Sequence, residues 1–135
     1  MESPANQEVG GAPQLPTILL VEDNEENIVT VADYLTFKQY RVVIARTGLQ
    51  ALDFAQIRPD LILMDIQMPE MDGLEAIRTL RTMPEVADAP IIALTALAMT
   101  GDRERCLAAG ANEYLSKPVS LRELTRVIAT HMQQL

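Results

Sequence analysis

The chain has 135 residues, which fits one domain with a real core, since folding at this size buries about two-thirds of the unfolded surface. Apolar residues make up 48% and aromatics 4%, with no Trp, so that core is aliphatic. The formal net charge of −8 argues against non-specific binding to nucleic acid or insertion into an anionic membrane surface, and the single cysteine, Cys106, excludes an internal disulfide and a cysteine-rich metal site. No apolar run approaches the ~20 residues of a membrane helix, and no secretory signal pattern opens the chain, so a cytoplasmic protein is expected.

Residues 1–16 contain Pro4, Gly10, Gly11, Pro13 and Pro16 and little that could pack. They are expected to form a flexible tail, followed by one domain over 17–135. From Thr17 onward, strand and helix patterns alternate five times, which points to an α/β fold. Ile18-Leu19-Leu20-Val21 is the first strand, and Ile28, Val31, Ala32 and Leu35 then mark one helix face. A second strand covers about Arg41 to Ala45, and a helix opening near Thr47 turns Ala51, Leu52 and Ala55 inward. Leu61 to Met64 is the third strand. Asp72 with Glu75 begins the next helix, whose inward residues are Leu74 and Ile77. A fourth strand runs from about Pro90 to Leu94, and a helix from about Thr100 to Ala109 stops at Gly110. The short fifth strand is Glu113 to Leu115. Ser120 and Glu123 form a capping box for a last helix, with Leu121, Leu124, Val127 and Ile128 as its buried stripe.

Short apolar runs bounded by turn signals read as buried parallel strands. In an open α/β sheet, ligands sit beyond the carboxyl ends of such strands. The residues found there are Glu22-Asp23, Asp65, Thr95 and Lys117. Taken singly, an Asp after a strand is usually a turn residue and Lys-Pro usually a loop. Taken together, they describe a site for a divalent cation and a phosphoryl group. Carboxylates ~5 Å apart repel by ~3 kcal/mol per pair at an effective dielectric of 20. Mg²⁺ compensates such a cluster while keeping waters for a phosphate, and Mn²⁺ suits the same oxygen donors. Lys117 can pair with Asp65 when the site is empty and with a phosphoryl oxygen when it is loaded. The Thr95 hydroxyl and the Ala96 backbone N–H are further donors for that oxygen. A carboxylate can serve as nucleophile toward phosphorus, and neutralising charge around the moving group is most of what the transfer requires.

The stretches ILLVEDN, LILMDIQMPEMDG, IIALTA and YLSKP carry a resemblance. From Thr17 to about Met132, the chain resembles the receiver domain of two-component response regulators. The resemblance implies a flavodoxin-like doubly wound (βα)5 fold, with a five-stranded parallel sheet in the order 2-1-3-4-5. It implies that Glu22 and Asp23 bind Mg²⁺ with Asp65 and the backbone carbonyl of Gln67, and that Asp65 is the phosphoacceptor. Thr95 matches the switch hydroxyl, Tyr114 the aromatic switch residue and Lys117 the phosphoryl-binding lysine, with a cis Lys117-Pro118 bond. The implied donor is a phosphohistidine of a sensor histidine kinase or a histidine phosphotransfer protein, with a downstream protein partner left unnamed. Glu22 stands where Asp is commoner, a longer arm suited to acting through water. Gln67 and Leu97 occupy positions that tune dephosphorylation in the family. EDNEEN and IIALTALAM lean toward the receivers of hybrid sensor kinases.

A receiver is a phosphorylatable switch and not a metabolic enzyme. The alternative is a pseudo-receiver, a protein-binding module that never carries phosphate; it would lack the acceptor Asp, the Lys or the acidic pair. A phosphomutase-like enzyme would need a second carboxylate two residues after Asp65, where Gln67 stands. A flavodoxin would need a neutral phosphate loop after the first strand, where Glu22-Asp23 would repel the phosphate. Cys106 reads as a small apolar contact and His131 as a favourable cation at a helix end. The last predicted helix lies within a few residues of Leu135, so either a stand-alone receiver or one cut from a larger protein is expected.

Overall fold

The computed structural model describes residues 15–68, 72–96 and 101–132; the predicted tail apart from Leu15 and Pro16, the predicted helix start at Thr100 and Leu97 lie outside them. Among the described residues, five strands form one parallel sheet in the order β2-β1-β3-β4-β5: β1 (Thr17–Val21), β2 (Arg41–Ala45), β3 (Leu61–Asp65), β4 (Ile91–Thr95) and β5 (Glu113–Ser116). The helices between and after them are α1 (Glu25–Phe37), α2 (Gly48–Phe54), α3 (Gly73–Leu80), α4 (Asp102–Ala109) and α5 (Leu121–Met132). A single 3₁₀ turn over Ala55–Ile57 extends α2, so Ala55 faces inward as predicted, but from that turn. No helix among the described residues is long and apolar enough to cross a membrane.

The chain steps outward from β1 to β2 and then returns past β1 to β3. With right-handed crossovers, that reversal puts α1 on one face of the sheet and α2, α3 and α4 on the other. One apolar cluster packs α1 and α5 against Ile18, Leu20, Leu61, Leu63, Ile92 and Leu94. The other packs α2, α3 and α4 against Leu19, Val21, Ile62, Met64, Ile91 and Ala93. Strands buried on both sides need continuous apolar runs, which is why β1, β3 and β4 lack polar alternation. Cys106 lies fully buried in the second cluster, as expected of a small apolar residue.

Local capping fixes where the helices begin. Asp72 accepts from Glu75 N at 2.8 Å and Ser120 from Glu123 N at 3.2 Å, as their spacing predicts. Asn24 and Thr47 do the same for α1 and α2. α4 instead follows Gly101 at φ 90°, and it ends at Gly110 with φ 125°, a backbone conformation in which glycine carries no Cβ penalty.

At the amino-terminal edge of the sheet, Arg81 ties three segments together. Its guanidinium donates to Gly110 O at 2.9 Å, Ala89 O at 2.7 Å and Asn112 Oδ1 at 2.6 Å, and it also reaches Val86 O and Ala87 O. Asn112 Oδ1 in turn accepts from Ile91 N at 2.8 Å. The end of α3, the start of β4 and the turn before β5 are thus held by one side chain.

Candidate functional site at the carboxyl edge of the sheet

The register brings the chemistry-bearing residues to one edge. Val21 is level with Met64, so Glu22 comes next to Asp65, the last residue of β3. Asp65 pairs with Leu94, and Thr95 with Ser116, which puts Lys117 one step beyond the sheet. Lys117 N donates to Thr95 O at 2.7 Å, and the Lys117-Pro118 bond is cis.

Asp65 is 3% exposed, and both of its carboxylate oxygens are engaged. Gln67 N donates to Oδ1 at 3.0 Å, and Lys117 Nζ lies 3.2 Å from Oδ2. Lys117 also donates to Glu22 Oε1 at 3.0 Å. Glu22 is as buried as Asp65, and its other oxygen accepts from Asn24 N at 3.3 Å. Asp23 is exposed at the mouth. One ligand oxygen from each of Glu22, Asp23 and Asp65 lies within 4.8 Å of the others. Three hard oxygen donors, one of them open to solvent, fit Mg²⁺, which prefers carboxylates and retains several waters.

The acidic cluster shows its cost in Asp65. Burial pushes its carboxyl up to about 6; the Gln67 N–H bond works against this, Glu22 adds to it, and Lys117 opposes it. For Lys117, burial disfavours the ammonium, but the bond to Glu22 and the charges of Asp65 and Glu22 outweigh burial and raise it above the ordinary lysine value. The lysine stays charged and offsets only part of the excess negative charge.

Thr95 ends β4 and is buried, and Tyr114 on β5 is half-buried against the α2–α4 side. Strand alternation puts Thr95 and Ala93 on one face, and Ala93 is level with Tyr114. The sequence reading brought these residues to one edge but missed two contacts. Glu22 grips Lys117 directly, and the Gln67 side chain accepts from Ala96 N at 2.6 Å. Neither contact has a local signature, because each joins residues that meet only through sheet register. Gly73 is readable only in the structure: a Cβ there would lie 2.3 Å from Ile66 Cα, so α3 begins hard against the loop carrying Gln67.

The response regulator receiver domain family matches residues 18–129 of this sequence. The chain belongs to that family. A relative from Brucella anthropi, the polar-differentiation response regulator DivK, is 43% identical over 117 residues, covering 86% of this chain and 95% of that protein. The receiver domain of the sensor histidine kinase PA1611 from Pseudomonas aeruginosa, whose structure holds a magnesium ion coordinated in its active-site cleft, is 43% identical, with a TM-score of 0.82 over 88% of this chain and 98% of that one. The chemotaxis protein CheY4 of Vibrio cholerae is 29% identical, with a TM-score of 0.82 over 87% of this receiver and 98% of that chain. This receiver has the flavodoxin-like order that the resemblance implied. It is a phosphoacceptor module of two-component signalling, whose counterpart is a histidine kinase or other phosphodonor, and not a classical enzyme.

Proposed function

We propose that Asp65 takes a phosphoryl group from the phosphohistidine of a sensor histidine kinase or a histidine phosphotransfer protein, in a Mg²⁺-dependent reaction in the cytoplasm. The observation that carries this reading is the setting of Asp65, with Glu22 and Asp23 oxygens within 4.8 Å and the Lys117 ammonium at 3.2 Å. Glu22, Asp23, Asp65 and the Gln67 carbonyl would hold the ion, which when bound supplies positive charge to the cluster and to the incoming phosphoryl oxygens. An Asp65 oxygen forms a bond to phosphorus as the bond from phosphorus to the imidazole nitrogen breaks, and the electron pair stays on that nitrogen. Lys117 is released from Asp65 to a phosphoryl oxygen. Thr95 Oγ1 and Ala96 N–H donate to the remaining oxygens.

The output is a population shift. Movement of the Thr95 hydroxyl toward the phosphoryl group vacates space on its face of the sheet, and the Tyr114 ring turns inward to fill it. The phosphoryl group shifts the equilibrium only by its differential interaction with the two states. One or two charge-assisted bonds at about 1.5–3 kcal/mol each move populations by one to a few decades. The surface around α4, where Arg103 and Arg105 are exposed, and around Arg122 then presents differently to a downstream partner.

Intact-mass measurement after incubation with Mg²⁺ and acetyl phosphate tests the assignment. Wild type gains one phosphoryl mass and Asp65→Asn gains none. A variant phosphorylated as well as wild type would overturn it, and a wild type that gains no mass would favour the protein-binding module.

A further inference from the structure

Gln67 makes two bonds at the mouth of the site. Its backbone N–H holds Asp65 Oδ1 at 3.0 Å, while its side-chain Oε1 accepts from Ala96 N–H at 2.6 Å. A backbone N–H can only donate, so the amide oxygen of Gln67 is the atom facing it. This bond ties the loop after β3 to the loop after β4. It also engages the donor that phosphoryl transfer calls upon. A backbone N–H points along one direction, and two oxygens at hydrogen-bond distance cannot occupy the same place in front of it.

We infer that the Gln67 side chain is a resident competitor for the phosphoryl seat. Its amide oxygen fills the position before Ala96 N–H that a phosphoryl oxygen takes, and it has to swing away for the group on Asp65 to be fully held. The inference rests on the reading of Asp65 as phosphoacceptor. It assigns the Gln67 side chain a role separate from that of its carbonyl, which belongs to the proposed metal shell. It also gives loading a structural consequence: the tie between the two loops breaks as the seat fills. Gln67 is exposed, so its amide can be taken up by water once displaced.

The test uses the full chain and beryllofluoride as the phosphoryl mimic, with binding followed by amide resonances. Mg²⁺ titrated alone serves as the reference, and the quantity read is beryllofluoride affinity relative to Mg²⁺ affinity. Removing the competing oxygen in Gln67→Ala raises that ratio about five-fold, the worth of one ordinary hydrogen bond. Gln67→Leu, which keeps bulk but has no acceptor, does the same. The Ala96 amide proton of both metal-free variants moves upfield of wild type. An unchanged or lowered ratio in Gln67→Ala overturns the inference, and a lowered ratio would make the amide a supporting ligand of the phosphoryl group. A Leu variant that matches wild type also overturns it, since bulk and not the hydrogen bond would then control access. An unmoved Ala96 amide overturns it as well. A wild type that takes up no beryllofluoride at all would instead remove the reading of Asp65 itself.

Discussion

On the α1/α5 side the sheet is covered by large aliphatic residues, with Leu20, Leu35, Leu63, Leu94, Leu124 and Ile128 all buried. On the α2–α4 side many of the buried residues are small, including Ala51, Ala76, Ala93, Cys106 and Ala109. Three helices must share the second face, and small side chains let them approach the sheet and each other closely. The two rows lead to different halves of the site. Alternation along β3 puts Asp65 in the row of Leu61 and Leu63, and along β4 it puts Thr95 in the row of Ile91 and Ala93. The proposed acceptor therefore rises from the side lined by large aliphatic residues, whereas the proposed switch pair lies on the side lined by small ones, where one ring can matter.

The largest effect that would break this comparison is at Leu63, which is fully buried at the centre of β3. Leu63→Ala leaves a void on the large-residue face and costs about 2–5 kcal/mol in urea unfolding. A loss below about 1 kcal/mol would mean that this face is loosely packed after all.

Next comes the charge that ends the same row. Because Asp65 titrates at about 6 in the fold against an ordinary 3.8, the folded state holds the proton more tightly than the unfolded chain. The metal-free protein therefore loses stability as pH rises through that window, with no such cost below about 4 and the full cost above about 6. The total is about 3 kcal/mol, from roughly two units at 1.36 kcal/mol each. Asp65→Asn lacks this titration, so its stability advantage over wild type grows from near zero at pH 4 to its full value at pH 7. Unfolding curves that stay parallel across that range would remove burial as the cause.

The smallest effect sharpens the comparison on the other face. Ala93→Val adds volume beside Tyr114 and costs about 1–3 kcal/mol by overpacking. It should also hold the ring outward, so that beryllofluoride no longer moves the Tyr114 resonances. A Tyr114 response equal to wild type would show that the ring does not use the space over Ala93.

The strands were legible because each of the β1, β3 and β4 runs is apolar without interruption and ends abruptly on a polar residue. Two helix starts, at Asp72 and Ser120, were legible from cap spacing. Strand order was not in the pattern itself; it came from the family resemblance, since periodicity says nothing about which strand lies beside which. Of the site, the residue types at the strand ends could be read, but their partnerships could not. Glu22 was expected to reach toward metal through water, and the structure has its buried carboxylate on Lys117, a contact that only the fold creates. Arg81 carried no signal at all, because an arginine that caps backbone carbonyls resembles any other helix-end arginine in sequence.

The Arg81 clasp bears on how α4 can move. By holding Gly110 O and Asn112, it pins the carboxyl end of that helix far from the acidic edge. A rod held at one end does not slide; it pivots, and displacement grows with distance from the pivot. α4 has eight residues, so its lever arm is about 12 Å at 1.5 Å per residue. A swing of about ten degrees about Gly110 would carry its first turn, beside Asp102, by about 2 Å. The base of the helix and the turn before β5 would scarcely shift. A partner that senses this helix would therefore gain most by gripping its amino end.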